Sequence, residues 1–472
     1  MDERIKNGGA VNAGGLKVKK ERNMSLDIIR IISFGMVVYT HFFLYTGYYK
    51  MELVGAKMLL MTAVRSFGIV CIPMFIFMTG FLMKGKQLNG RFYSGIRDIL
   101  LTYFFASGLC YLFDCAHAKE PVEATLGGFL EGLLSFSSAK YAWYIEMYIG
   151  LFLLIPFLNI IWNNLPGKKH RIILIASLLF MTVAPQFVNT FVFDVEGWWQ
   201  QPMLSDEYTL ILPMWWQKIF PLTYYFTGCY INEYGIKINK WLNLVLIVLS
   251  GIGFGAYNYY RSTPGVLIRG EWQNNASPIV YIIGILVFSF ILNLNIKIKV
   301  KWLSKVVSHI AELTLGGFLV SCIFDVLIYD KLKEVLNSQI VGFNYLWVTA
   351  PVIIVLSLIV AFVINLAVKL ILKAEDGIVW GIKKLVSLIK KDKTPAPEAP
   401  VRPKMQKRPA NPSAPPRGTA PARRPAPQSP VTAGPSQPSD AIYKKRVNTM
   451  EDDGEEVVIV IEDKEYSAPA YR

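Results

Sequence analysis

Arg30 and His41 are the residues of this sequence whose types and spacing best suit chemistry. Both lie in one apolar run, Leu26–Tyr45. Helical steps of roughly 100° carry the chain from one to the other in about three turns plus 20°. Their side chains therefore leave the same stripe, about 16 Å apart along the axis. Arginine offers a permanent charge and a planar fork for phosphate, and a near-neutral imidazole can take a proton from an attacking hydroxyl. Such a pair can line one tunnel, with the polyanionic end of a substrate at Arg30 and its reactive end at His41. Two plainer readings stand beside this one. Arg30 can reach the membrane interface or pair with Asp27, and His41 can be a hydrogen-bonded packing residue.

A charge inside a membrane span costs roughly 2.5–3.5 kcal/mol on insertion scales, so each one needs a reason. Arg65 stands in the outer part of the second apolar run, facing an acceptor cavity or reaching outwards. Glu146 sits at the outer end of the fourth. Lys218, Glu312 and Asp325 also interrupt apolar runs, but sequence cannot match them into pairs. Lys84, Lys86, Arg91 and Arg97 cluster after the second run, as an orientation signal or as a cradle for the phosphates of a cytosolic cofactor. Five cysteines without C-x-x-C spacing offer no disulfide framework, and no metal site is expected. No Ser-His-Asp arrangement, Walker loop or G-x-G-x-x-G is evident.

The elements that must position these residues are membrane helices. Of 472 residues, 53% are hydrophobic and 18% charged, whereas a soluble domain carries about 25% charged residues. Ten candidate spans follow: Leu26–Tyr45, Met58–Met83, Ile96–Cys115, Trp143–Trp162, Ile172–Thr190, Ile211–Ile231, Trp241–Tyr259, Ala276–Leu294, Ile310–Tyr329 and Leu346–Lys373. The expected fold is thus all-α, a polytopic bundle of about ten transmembrane helices. With a cytoplasmic N-terminus, the inside segments before the last span carry 18 Lys and Arg and the outside loops 8. That bias places both termini in the cytoplasm and explains the net charge of +15 without nucleic acid.

Residues 1–23 read as a basic cytoplasmic segment rather than a cleavable leader, so the first span should be retained. Residues 24–373 form the transmembrane domain. Residues 374–393 place Ile378, Ile382, Leu385 and Ile389 at helical spacing beside lysines, as an interfacial amphipathic helix does. Residues 394–472 open with 14 of the 26 prolines and are expected to stay disordered, open to a cytoplasmic protein partner.

Several runs together resemble a known family. Leu26-Asp27-Ile28-Ile29-Arg30, with ten residues between Arg30 and His41, is similar to the Arg-x10-His opening of the membrane-bound acyltransferase family 3. Pro73 to Met83, with Thr79-Gly80-Phe81, resembles its second span. Trp143-Tyr144, Gly150-Leu151 and Pro156 resemble its W-Y…G-L…P segment, and Tyr224 to Tyr230, around Gly228, its aromatic span. The resemblance covers roughly residues 24–373.

It implies a multi-pass enzyme of the plasma membrane. Such an enzyme takes an acyl group, acetyl first among the candidates, from cytosolic acyl-CoA. It passes the group to a hydroxyl of an extracytoplasmic glycan or lipid-linked sugar. His41 then corresponds to the family's catalytic histidine and Arg30 to the arginine that serves the donor. Arg97 and Arg91 fall in the place of a basic Arg-x-x-Arg motif that is not intact here. Ser321 stands where related members often carry a histidine. The alternative is a polysaccharide exporter or flippase, and a third reading, a membrane scaffold, rests on the tail alone.

Overall fold

The computed structural model describes residues 22–118, 122–191, 209–268, 270–336 and 342–391. The expectations placed on the N-terminal segment up to residue 21 and on the tail from 394 lie outside these residues. Two compact units are distinguished: Met1–Ile371 with Val447–Arg472, and Leu372–Arg446. Of the second, the described part is the end of the last helix.

Among the described residues the chain forms helices and no strand. Helix α1 (Met24–Tyr45) begins where the Asn23 side chain accepts from the Ser25 N–H. The expected second span is two helices, α2 (Gly55–Gly68) and α3 (Cys71–Met83). The break at Ile69–Val70 follows from Pro73, whose ring opposes the carbonyl four residues earlier, that of Ile69. Next come α4 (Arg97–His117), the short α5 (Leu126–Leu134), α6 (Trp143–Asn164) and α7 (Lys168–Thr182). Helix α8 (Phe220–Tyr234) starts later than the expected Ile211. Pro221 occupies its first turn, and Pro213 pushes the residue before it towards extended backbone. Side chains of Asn239 and Ser277 cap α9 (Lys240–Ser262) and α10 (Pro278–Asn293). Helix α11 (Lys301–Val335) has 35 residues. The 46-residue α12 (Leu346–Lys391) passes without a break through the boundary drawn at Lys373.

Among the described residues, eight segments are long and apolar enough to cross a membrane, the α2–α3 pair counting as one. The other two expected spans are α8 and α10, of 15 and 16 residues. At about 1.5 Å per residue each is shorter than a roughly 30 Å hydrocarbon core. The distribution of polarity is that of a protein in lipid. Leu153, Phe157, Leu249, Ile252, Ile359 and Val363 face outwards, whereas Asp27, Thr62, Arg65, Asn159, Thr227 and Asp325 are buried.

Two helix contacts set the frame of the site. Helices α3 and α8 cross with backbones touching at Gly80 and Gly228. A Cβ on Gly80 would lie 2.0 Å from the Tyr225 carbonyl oxygen, and one on Gly228 would lie 2.1 Å from that of Phe77. Only glycine permits that approach. Helices α1 and α11 pack side by side and run parallel. Asp27 meets Ser308 near one end and His41 meets Asp325 further along both helices. A first and a ninth span of alternating direction must run parallel, so this contact agrees with the expected order of spans.

Candidate functional site

His41 and Asp325 come from helices separated by most of the chain. The imidazole Nδ1 lies 2.9 Å from Asp325 Oδ2, and the Asp325 side chain is wholly buried while 12% of the His41 side chain stays exposed. An ionised carboxylate can only accept, so a neutral His41 ring facing it carries its proton on Nδ1 and leaves the Nε2 lone pair for other work. The Tyr141 hydroxyl donates to the same Oδ2 at 2.7 Å. Asp325 Oδ1 is buried without a hydrogen-bond partner among the described residues. This arrangement can orient a histidine as a proton acceptor and stabilise the imidazolium that results.

Aromatic rings wall the site. Tyr141 stacks on His41 with ring centroids 3.9 Å apart and 25° between planes, and its other neighbours include Phe318 at 5.8 Å. The Tyr45 and Tyr141 hydroxyl oxygens are 3.3 Å apart, and Tyr45 stacks with Tyr329. Cys110 and Cys322, both free thiols, lie 3.5 Å apart where α4 meets α11.

At the Arg30 end of α1 a charged cluster closes the α1–α11 contact. Arg22 grips Asp27 through two nitrogens, at 2.6 and 3.0 Å, and reaches Glu312 at 2.8 Å. The Asp27 hydrogen bond holds the Arg22 guanidinium above its ordinary pKa. Ser308 also donates to Asp27, and Lys369 lies 3.6 Å from Glu312. Arg30 touches Asp27 at 3.5 Å, so its pairing with Asp27 is real but loose, and its side chain remains partly exposed. The fork is therefore held in place yet open to a stronger anion.

The remaining residues chosen from sequence occupy different places. Arg65 is buried in α2, its Nε donating to the Tyr49 hydroxyl at 2.8 Å with its guanidinium over that ring. Arg91 is exposed in the turn Gly90–Tyr93, and Arg97 donates from Nε to the Ser94 carbonyl at the start of α4. Of the nearby lysines, Lys84 is paired with Glu233 at 2.7 Å; Arg171 and the Trp162 indole bind the same carboxylate. Ser321 lies one turn before Asp325 on the same face of α11, but its hydroxyl donates to the Phe318 carbonyl at 2.9 Å. Sequence reasoning singled out Asp325 without finding its partner, and passed over Tyr141 and Tyr45. Tyr141 stands in a short connection before α6, where nothing in the pattern sets it apart from 23 other tyrosines.

No curated protein and no solved structure matches the chain. Residues 23–366 match a family model described as an acyltransferase domain, which spans the whole α1–α11 site and most of the bundle. That match covers well over half of the chain and includes both helices of the His41–Asp325 contact, so the chain belongs to acyltransferase family 3 and is a multi-pass membrane acyltransferase.

Proposed function

We propose that this acyltransferase moves an acyl group, acetyl first among candidates, from cytosolic acyl-CoA to a hydroxyl of an extracytoplasmic glycan or lipid-linked sugar. The observation that carries this reading is the Nδ1 contact of His41 with buried Asp325, which leaves Nε2 as the base. The acceptor hydroxyl gives its proton to Nε2 as its oxygen attacks the thioester carbonyl. The carbon–sulfur bond then breaks, and the departing thiolate takes the proton back from the imidazolium. Asp325 stabilises the charged ring between the two steps. Arg30, about three turns away, holds donor phosphates; Arg91 and Arg97 add positive charge at that mouth, Arg65 bears on the acceptor side, and Ser321 stands one turn to the donor side of Asp325, beside the path of the substrate. Both termini are cytoplasmic in this reading, and the enzyme works in the plasma membrane.

The test is purified protein with radiolabelled acetyl-CoA and extracted envelope glycan. Label should reach the glycan, and His41→Ala should reduce transfer about 10²–10⁴-fold, the usual contribution of a positioned base. Transfer at the original rate in inserted His41→Ala protein, or glycan transport that needs no acyl-CoA, overturns the reading.

A further inference from the structure

One hydrogen bond at Nδ1 does not fix an imidazole. The ring can still turn about the Nδ1–Oδ2 line, because the χ2 torsion of histidine is broad, and so is that of the aspartate that holds it. Asp325 could present either oxygen. In the structure a single side chain removes both freedoms. The Tyr141 ring lies flat on His41 at 3.9 Å between centroids, and its hydroxyl donates to the same Oδ2 that receives Nδ1–H. Among the described residues Oδ1 is buried without a partner, and these two are the side-chain donors to the carboxylate. Tyr141 is itself anchored. It is buried, stacked with Phe318 of α11, and set in a tight turn in which the Ala142 N–H donates to the Ala139 carbonyl at 2.8 Å.

We propose that Tyr141 is a positioning residue of the acyl-transfer site, setting the plane of the His41 ring by stacking and selecting the Asp325 oxygen that orients it. The inference rests on the reading of His41 as base. Tyr141 acts through its two neighbours and need not touch the reacting atoms. Its two contributions separate by substitution: Tyr141→Phe keeps the stacked ring and loses the donor, whereas Tyr141→Leu loses both.

The experiment measures kcat and KM for acetyl-CoA in both variants and in His41→Ala. Full-length membrane-inserted protein is used, with extracted envelope glycan as acceptor and rates counted per acetyl-CoA-binding site. Loss of a hydrogen bond to a charged group should lower kcat of Tyr141→Phe roughly tenfold, with KM within about twofold. Tyr141→Leu should fall further, roughly a hundredfold, as the ring contact goes as well. The intermediate rate of the phenylalanine variant is the sign of positioning. Unchanged kcat per binding site in both variants, with a lowered thermal midpoint or without one, overturns the inference while an inactive His41→Ala keeps the base. Full activity of His41→Ala would instead remove the base reading.

Discussion

His41 turns Nδ1, not Nε2, towards Asp325, and the 2.9 Å contact joins the first and the second-longest helices of the bundle. The same contact decides which nitrogen is free for chemistry and ties α11 to α1 at that depth. Its removal should therefore be felt in turnover before it is felt in stability.

Asp325→Asn should lower kcat by about 10³–10⁴-fold, the range seen when the orienting carboxylate of a histidine base becomes an amide. The amide keeps the volume and leaves no buried charge, so the thermal midpoint should hold. Parallel measurement of label transfer and of thermal unfolding checks both halves. A variant that unfolds at a much lower temperature but turns over normally when folded would make Asp325 a structural residue.

Arg30→Ala should weaken acetyl-CoA binding roughly ten- to a hundredfold, the scale of charge-assisted hydrogen bonds, and change kcat far less. Arg30→Lys should recover part of the affinity, since lysine keeps the charge and loses the fork. Equilibrium binding of labelled acetyl-CoA reads this directly. Equal affinity in all three proteins would place the donor elsewhere.

At the α3–α8 crossing, Gly228→Leu should destabilise the protein by about 3 kcal/mol or more, because the new Cβ meets the Phe77 carbonyl and the Phe81 amide rather than a movable side chain. Gly85→Ala, with open space around the position, should change little. The comparison is of thermal midpoints in detergent. A Gly228→Leu protein as stable as the parent would mean that the helices can separate without cost.

Topology is open to labelling. Lys299 is exposed between α10 and α11, and the proposed orientation puts it on the cytoplasmic side. In intact cells, Lys299→Cys should resist an impermeant thiol reagent and react after permeabilisation. Ready labelling of intact cells would reverse the orientation.

Much of the fold was legible because lipid demands long apolar helices, and each of the ten expected spans has a helix at its place, the second of them as the α2–α3 pair. The misplaced start of α8 and the break at Ile69 both trace to prolines, whose effect depends on whether neighbours absorb a lost hydrogen bond. In the site, Arg30 and His41 were legible since both lie on one helix, where angle follows from number. Asp325 was visible as an acid in an apolar run, yet its partner is 284 residues away. A usable signal existed: His41 stands 15 residues after Leu26, and Asp325 stands 15 after Ile310. Two spans crossing in the same sense place such residues at equal depth. Tyr141 carried no such mark, because its role arises only where a short connection, α1 and α11 converge.

Between Arg30 and His41, α1 runs as one unbroken helix. One inserted residue would turn everything beyond it by about 100° and lift it about 1.5 Å, taking His41 off both Asp325 and Tyr141. Seven inserted residues would restore the facing to within about 20°, but would lengthen the interval by about 10 Å. Facing and reach are thus locked to one another along this helix. The distance from an anchored anion to the reacting carbon is counted in whole residues, and evolution cannot adjust it gradually by adding or removing them.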